Sequence, residues 1–429
     1  MLFCIGLWPG SPLGSEFITA FMQNHKPEEV PQLELLVIGS SPSTSVSITI
    51  NKSDFRKDLI VGKGEAIPVP ITAPVEMHGT GMFSSSVIIK SQADITVVSR
   101  NYKYASADTA LLYPVYQLGV EYYIITPPWK IESEYKQFSV ITYKTPNTVD
   151  IFLKGSVNLN GVTHPAGSTL TLTLEPFQAV QIQSTDDLSG TKIIAKNPIA
   201  VLTGHTCSEK NGACDYVYEQ LLPVTSWGTT FFVPSMSFQT KYDITFVVAS
   251  QDTSLEYYSG KDKGNKDLKA GEVTQFEIRE NSPLSVVASN RIQMLLYGTG
   301  GIYKDKTFDP FLTNIPDIDK FGNMFAIVGQ DKFDTNLAIL LAKTTDLSEI
   351  TFDGKAPQNI QWKVFPGTDY SWGEYSYGGG FSSHIVENVK FPFGLLSIGF
   401  SERIGYGSVA PCISGMFLFE FLVLQQGYW

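Results

Sequence analysis

The sequence predicts an all-β chain built as tandem antiparallel β-sandwich-like modules in four internal repeats. Three observations carry that prediction: a glycine-aromatic signal that recurs about every hundred residues, strands that alternate apolar and polar side chains, and the lack of any long helical apolar stripe. The recurring signal is a Gly followed three residues later by an aromatic: Gly14 with Phe17, Gly119 with Tyr122, Gly228 with Phe231 and Gly322 with Phe325. Successive copies are 105, 109 and 94 residues apart, and Pro114, Pro223 and Pro316 lie just upstream of the last three. PVYQLGVEYY at 114–123 matches PVTSWGTTFF at 223–232 almost position for position. These markers divide the chain into β-modules at 14–112, 113–221, 222–315 and 316–410, followed by an atypical tail at 411–429.

Within each module the order of strands repeats. The second strand reads LELLVIGS, QFSVITY, DITFVVAS or NLAILLAK, and each unit closes on a buried strand such as ADITVVSRN or NPIAVLTGH. In TSVSITI, Val46, Ile48 and Ile50 are expected to face a core while Ser45, Ser47 and Thr49 face water, the pattern of a half-buried strand. Asn160-Gly161 between two short apolar runs is a hairpin signal. Six or seven short strands per hundred residues suits a β-sandwich. A four-bladed propeller-like arrangement is the alternative, with about four strands per blade.

Composition excludes several functions. With 42 acidic against 31 basic residues and a net charge of −11, no basic cluster is available to hold a phosphate backbone, so nucleic acid is not an expected partner. No segment reaches the ~18 apolar residues of a membrane span; the nearest, MFLFEFLVL at 416–424, carries Glu420 in its middle. The opening MLFCIGLWPGSP has a short apolar run, no basic start and an early Pro9, so it does not read as a secretory leader.

Candidate chemistry is sparse, and no catalytic, cofactor-binding or metal residues are assigned. The five histidines lack HExxH spacing, no G-x-S-x-G elbow occurs, and the glycine-rich YGTGG and YGGGF are not followed by the Lys-Ser/Thr of a phosphate loop. His205, Cys207 and Glu209 alternate along HTCSE and could suggest zinc, but Cys207 and Cys214 flank the polar, Gly-containing SEKNGA, where a local disulfide is the expected pairing. Cys4 and Cys412, near the two ends, are expected as thiols. Asn51, in NKS, meets the N-glycosylation rule. The segment 365–381 places Tyr370, Trp372, Tyr375 and Tyr377 among Gly and Ser, the composition of an adaptable protein-binding loop, with a packed hairpin as the structural alternative.

EFITAFMQN (16–24), SPSTSVSITIN (41–51), PIAVLTGHTC (198–207) and above all YEQLLPVTSWGTTFFVP (218–234) resemble the N-terminal region of the IgGFc-binding family, over roughly residues 14–410. The resemblance implies a secreted, extracellular, non-enzymatic binding protein of mucosal secretions whose ligand is a protein or glycoprotein, immunoglobulin Fc or mucin. The Cys-rich modules that follow in that family have no counterpart here, so covalent assembly is not carried over. A structural spacer or matrix component without a saturable ligand is the competing expectation.

Overall fold

The computed structural model describes residues 11–129, 131–212 and 214–413, so Cys4 and the 416–424 segment lie outside the described residues. Strands and short 3-10 turns make up its regular structure, and among the described residues no helix is long and apolar enough to cross a membrane.

The first strand set shows the design. It comprises β1 (Gly14–Thr19), β2 (Gln32–Gly39), β3 (Thr44–Ile50), β4 (Arg56–Val61), β5 (Ala66–Ile71), β6 (Gly81–Phe83), β7 (Val87–Lys103) and β8 (Ser106–Leu111). β7 is the spine. Its first half pairs with β1 and β3 and its second half with β2 and β8, and the register slips between the halves, so the sheet curls into two layers. Val46, Ile48 and Ile50 point inward onto Leu35, Val37, Ile89, Ile95 and Val97, and Ser45 is exposed.

The same pairing recurs around Lys192–Glu209 and Leu284–Gly298. In the fourth set the spine is two strands, Ser382–Glu387 and Gly394–Ser401, which keep the same partners. The break has a local cause: the Asn388 side chain accepts the Lys390 and Phe391 N–H groups, and Pro392 has no N–H to give a ladder. Asn160 and Gly161, both at positive φ, turn the hairpin Val157–Leu159/Val162–His164. β6 crosses over to pair with Ala179–Ser184 of the second set.

The repeated glycine is a packing requirement. A Cβ on Gly14 would lie 2.5 Å from Pro114 Cβ, and one on Gly119 would lie 2.4 Å from Pro223 Cβ. At Gly228 the following connector brings Asp317 instead, whose carboxylate accepts the Thr229 and Thr230 N–H groups at 2.7 and 2.8 Å. Each connector therefore seats on the first strand of the set before it.

The last strands of the four sets, β8, Cys214–Gln220, Phe311–Asn314 and Ile404–Val409, pack around a common centre. β8 lies against both Cys214–Gln220 and Ile404–Val409, and Phe311–Asn314 lies against the same two from the other side. Four curled sandwich-like sets are thereby closed in a ring, a propeller-like disposition. Each inner strand has one edge on its spine, and N–H groups on the other edge need partners in a dry interior. Acidic side chains supply them. Asp108 Oδ2 accepts the Tyr218 and Leu312 N–H groups, both at 3.1 Å. Asp215 accepts Ala107 N–H at 2.7 Å, and Glu219 accepts Asn314 N–H at 2.9 Å.

Burial dominates the ionisation of this centre. It raises Asp108 and Asp215 well above the usual carboxylate range, with the neighbouring Asp309 adding to the effect on Asp215. Glu219 is pushed to about 8, its N–H donors pulling back only part of the rise, and Asp309 to about 7, against the pull of Arg403. A carboxyl whose pKa is raised on folding keeps its proton after the unfolded chain has lost it. The contribution of these two carboxyls to stability is therefore fully present below the unfolded values of 4.5 and 3.8, and is lost as pH rises towards about 8 and 7. Calorimetric melting should show a midpoint lower at pH 8 than at pH 5, and Glu219→Gln should flatten that fall. Gly119→Ala should cost on the order of 1–3 kcal/mol in chemical denaturation through its clash with Pro223.

Candidate binding groove

The residues singled out in the sequence are distributed, and the structure reassigns several. Tyr370, Trp372, Tyr375 and Tyr377 belong to the strand Tyr370–Gly378. Their rings are used for packing: Tyr370 stacks on Phe232 with centroids 4.4 Å apart, Trp372 lies 4.6 Å from Phe365, and Tyr375 lies 4.1 Å from Phe352. Tyr377 bonds Ser397 through its hydroxyl at 2.9 Å. The segment pairs along its length with Thr335–Lys343, so successive side chains go to opposite faces, and both faces are covered: Tyr370 and Trp372 join Phe232, Phe321 and Phe365 on one, Tyr375 and Tyr377 the core around Phe325 and Phe352 on the other.

Cys207 and Cys214 form a disulfide with Cα atoms 5.2 Å apart. His205 is fully buried; its Nδ1 accepts Cys207 N–H at 3.1 Å, which leaves Nε2–H to donate to the Trp129 carbonyl at 3.2 Å. Burial and the positive charge of Lys136 pull the imidazole down to about 3, so it stays neutral. No group of three His, Cys, Asp or Glu side chains that could hold a metal is present among the described residues. Asn51 uses its amide nitrogen to bond the Ser84 and Phe177 carbonyls at 2.9 and 3.3 Å, tying the first set to the second. Cys412 is buried and lies under Gly322.

A groove that the sequence reading did not find lies where the fourth set meets the first. Strand register builds it. Glu34 on β2, Arg100 on β7 and Thr109 on β8 are direct cross-strand partners, so the three side chains stand in one row on one face, flanked by Pro70 on β5. The next row on that face is Pro68, Leu36, Val98 and Leu111. Equivalent rows in the other sets are Gln137–Gly204–Tyr218, Ile244–Tyr297–Leu312 and Leu337–Ile398–Gly407.

Those three rows are covered by the preceding set. Gln137 donates to the Gln23 carbonyl at 2.8 Å, Trp129 stacks on Tyr297 at 5.0 Å, and the Phe311 ring lies against Gly407. At the first set's row the cover is thinner. Arg100 pairs with Glu34 at 2.8 Å and with Asp331 of the fourth set at 3.1 Å, and it also donates to Gln330 at 3.2 Å. Beside this pairing remains a cavity of about 220 Å³ walled by Leu36, Pro68, Val98, Val328 and Phe381. It adjoins a wider groove of about 670 Å³ between Pro27–Glu34, Pro70–Pro74, His78 and Lys332.

Burial raises the Glu34 carboxyl, and Arg100 opposes the rise. The signal that could have exposed the site is the repeat itself: aligned on their rows, the four sets carry Arg, Gly, Tyr and Ile at one position, and Arg100 is the charged exception. Arg100→Ala should cost about 3 kcal/mol in urea unfolding, because it strands a half-buried carboxylate. Glu34→Gln combined with Arg100→Met should cost less than Arg100→Ala alone.

Comparison with known proteins finds relatives of this chain. Residues 108–399 match the family described as IgGFc binding protein. The human protein named IgGFc-binding protein is 39% identical over 401 residues, which cover 92% of this chain and 7% of that protein. A solved chain of a bacterial ice-binding adhesin covers 68% of this chain and is itself 97% covered, at 10% identity and a TM-score of 0.11, a likeness that carries no argument. With the family match spanning well over half of its residues, this chain belongs to the IgGFc-binding protein family.

Proposed function

We propose that this chain is a non-catalytic recognition unit of a secreted protein and that its ligand is the Fc part of immunoglobulin G. Membership of the IgGFc-binding family carries the reading. Two features of the chain support it. The Cys207–Cys214 bridge suits an oxidising, extracellular compartment. The groove between the fourth and first sets combines apolar walls with a few fixed polar groups, the make-up of a ligand-binding cleft. Because the chain corresponds to a small part of the human relative, a mucin or other mucosal glycoprotein is kept as a second partner to be measured beside Fc.

Under this reading the chain contributes a rigid surface and no reaction. The closed ring holds the groove walls in place before a partner arrives, which lowers the entropic cost of association. Recombinant chain immobilised on a biosensor should retain purified Fc saturably and leave Fab unbound. If Fc and mucin both pass without saturable retention while the chain shows its folded melting transition, the recognition role gives way to that of a structural spacer.

A further inference from the structure

We propose that the cavity between the fourth and first strand sets receives a tyrosine side chain, presented by an extended segment of a protein partner that lies in the adjoining groove. The argument starts from two buried polar atoms that have no hydrogen-bond partner, Thr109 Oγ1 and Arg100 Nε. Thr109 is 1% exposed, and both residues line the cavity. Leaving such groups unpaired costs about 1–3 kcal/mol each, so their pairing by a ligand is worth a comparable amount.

The chemistry of the ligand follows from what is already committed. Arg100 spends its two terminal nitrogens on Glu34, Asp331 and Gln330, which fixes the guanidinium and leaves the Nε–H as a donor in need of an acceptor. The Thr109 hydroxyl can donate or accept. A carboxylate ligand would approach Glu34 and Asp331, and an ammonium would approach Arg100, so neither charge is favoured. A neutral hydroxyl on an apolar body satisfies both atoms: it accepts from Arg100 Nε–H and donates to Thr109 Oγ1. The walls are Leu36, Val98, Val328 and Phe381, which suit the ring of a phenol, and about 220 Å³ suits one large side chain.

The occupant is tethered, and the surroundings indicate how. Glu34, Arg100 and Asp331 line both the cavity and the wider groove, so a side chain in the one continues into a backbone in the other. Pro27, Pro31, Pro70 and Pro74 give the groove stiff walls, and Val30, 89% exposed, stands at its rim. The inference does not depend on which protein supplies the tyrosine.

The test uses N-acetyl-tyrosinamide and N-acetyl-phenylalaninamide as probes, titrated into the full chain by calorimetry and by NMR. Both should bind saturably, the tyrosine compound about tenfold tighter. Thr109→Val, which keeps shape and removes the hydroxyl, should bring the ratio close to one while leaving the phenylalanine compound unchanged. Val328→Phe, which fills the cavity with apolar atoms, should abolish binding of both. Absence of saturable binding to the wild-type chain, or equal affinity for the two compounds, would overturn the proposal, and so would a ratio untouched by Thr109→Val. None of these probes contains immunoglobulin, so failure here and failure of Fc retention are separate results.

Discussion

Backbone N–H groups that have no strand to pair with, buried where four sheets converge, set the terms for this fold. Each set ends on an inner strand that pairs with its own spine and with none of the other inner strands, and an orphaned N–H in a dry interior is costly. Asp108, Asp215 and Glu219 answer that demand across set boundaries. Gln220 and Asn314 extend the network: Tyr113 N–H donates to the Gln220 side chain at 3.2 Å, and the Asn314 amide donates to the Gln220 carbonyl at 2.9 Å. The hub is polar because geometry requires it, and its carboxyls carry the electrostatic consequence of being dry.

Outside the hub, contact between successive sets is mostly apolar and repeats a single device. The connector after one set seats on a bare glycine in the set before, which brings the spine faces within packing range of the preceding first strand. Large shared cores then form across the seams, such as the one joining Tyr122–Ile125 and Phe138 to Phe246, Leu295 and Leu312. The segment after the fourth set repeats the device, with Cys412 Sγ under Gly322, and ring closure brings the fourth set against the first. Ala326 and Val328 reach Leu36, Ile38 and Val98, but charged residues occupy the row beyond them.

That difference concentrates binding potential at one seam. Three rows are capped by a backbone carbonyl or an aromatic ring from the set before, whereas the Glu34–Arg100–Asp331 arrangement spans its seam with side chains that are held at a fixed spacing and leave an apolar recess. Ion pairs of this kind add little net stability relative to apolar packing, and they fix geometry. A recess with a rigid guanidinium at its floor is a place where specificity can be encoded. By contrast, the tyrosines and tryptophan of 370–377, whose composition suggested a recognition loop, are spent on the stability of the fourth set.

Sequence alone was enough for the all-β class, the four-fold recurrence and the inward faces of single strands such as Thr44–Ile50, because a pleated strand with one dry face must alternate every second residue. The Asn160-Gly161 turn was legible for a similar reason: only a few residues accept positive φ. Tertiary structure decided what depends on residues far apart in the chain. Nothing in the local pattern of Ser106–Leu111 and Cys214–Gln220 marks their acidic residues as buried acceptors, which convergence of the inner strands makes them. The groove draws on residues 27–34, 68–78, 98–109, 328–332 and 381, a set that no local periodicity brings together. Alternation records which way a side chain points from its own sheet; what it meets there is set by the packing of other sheets against that face.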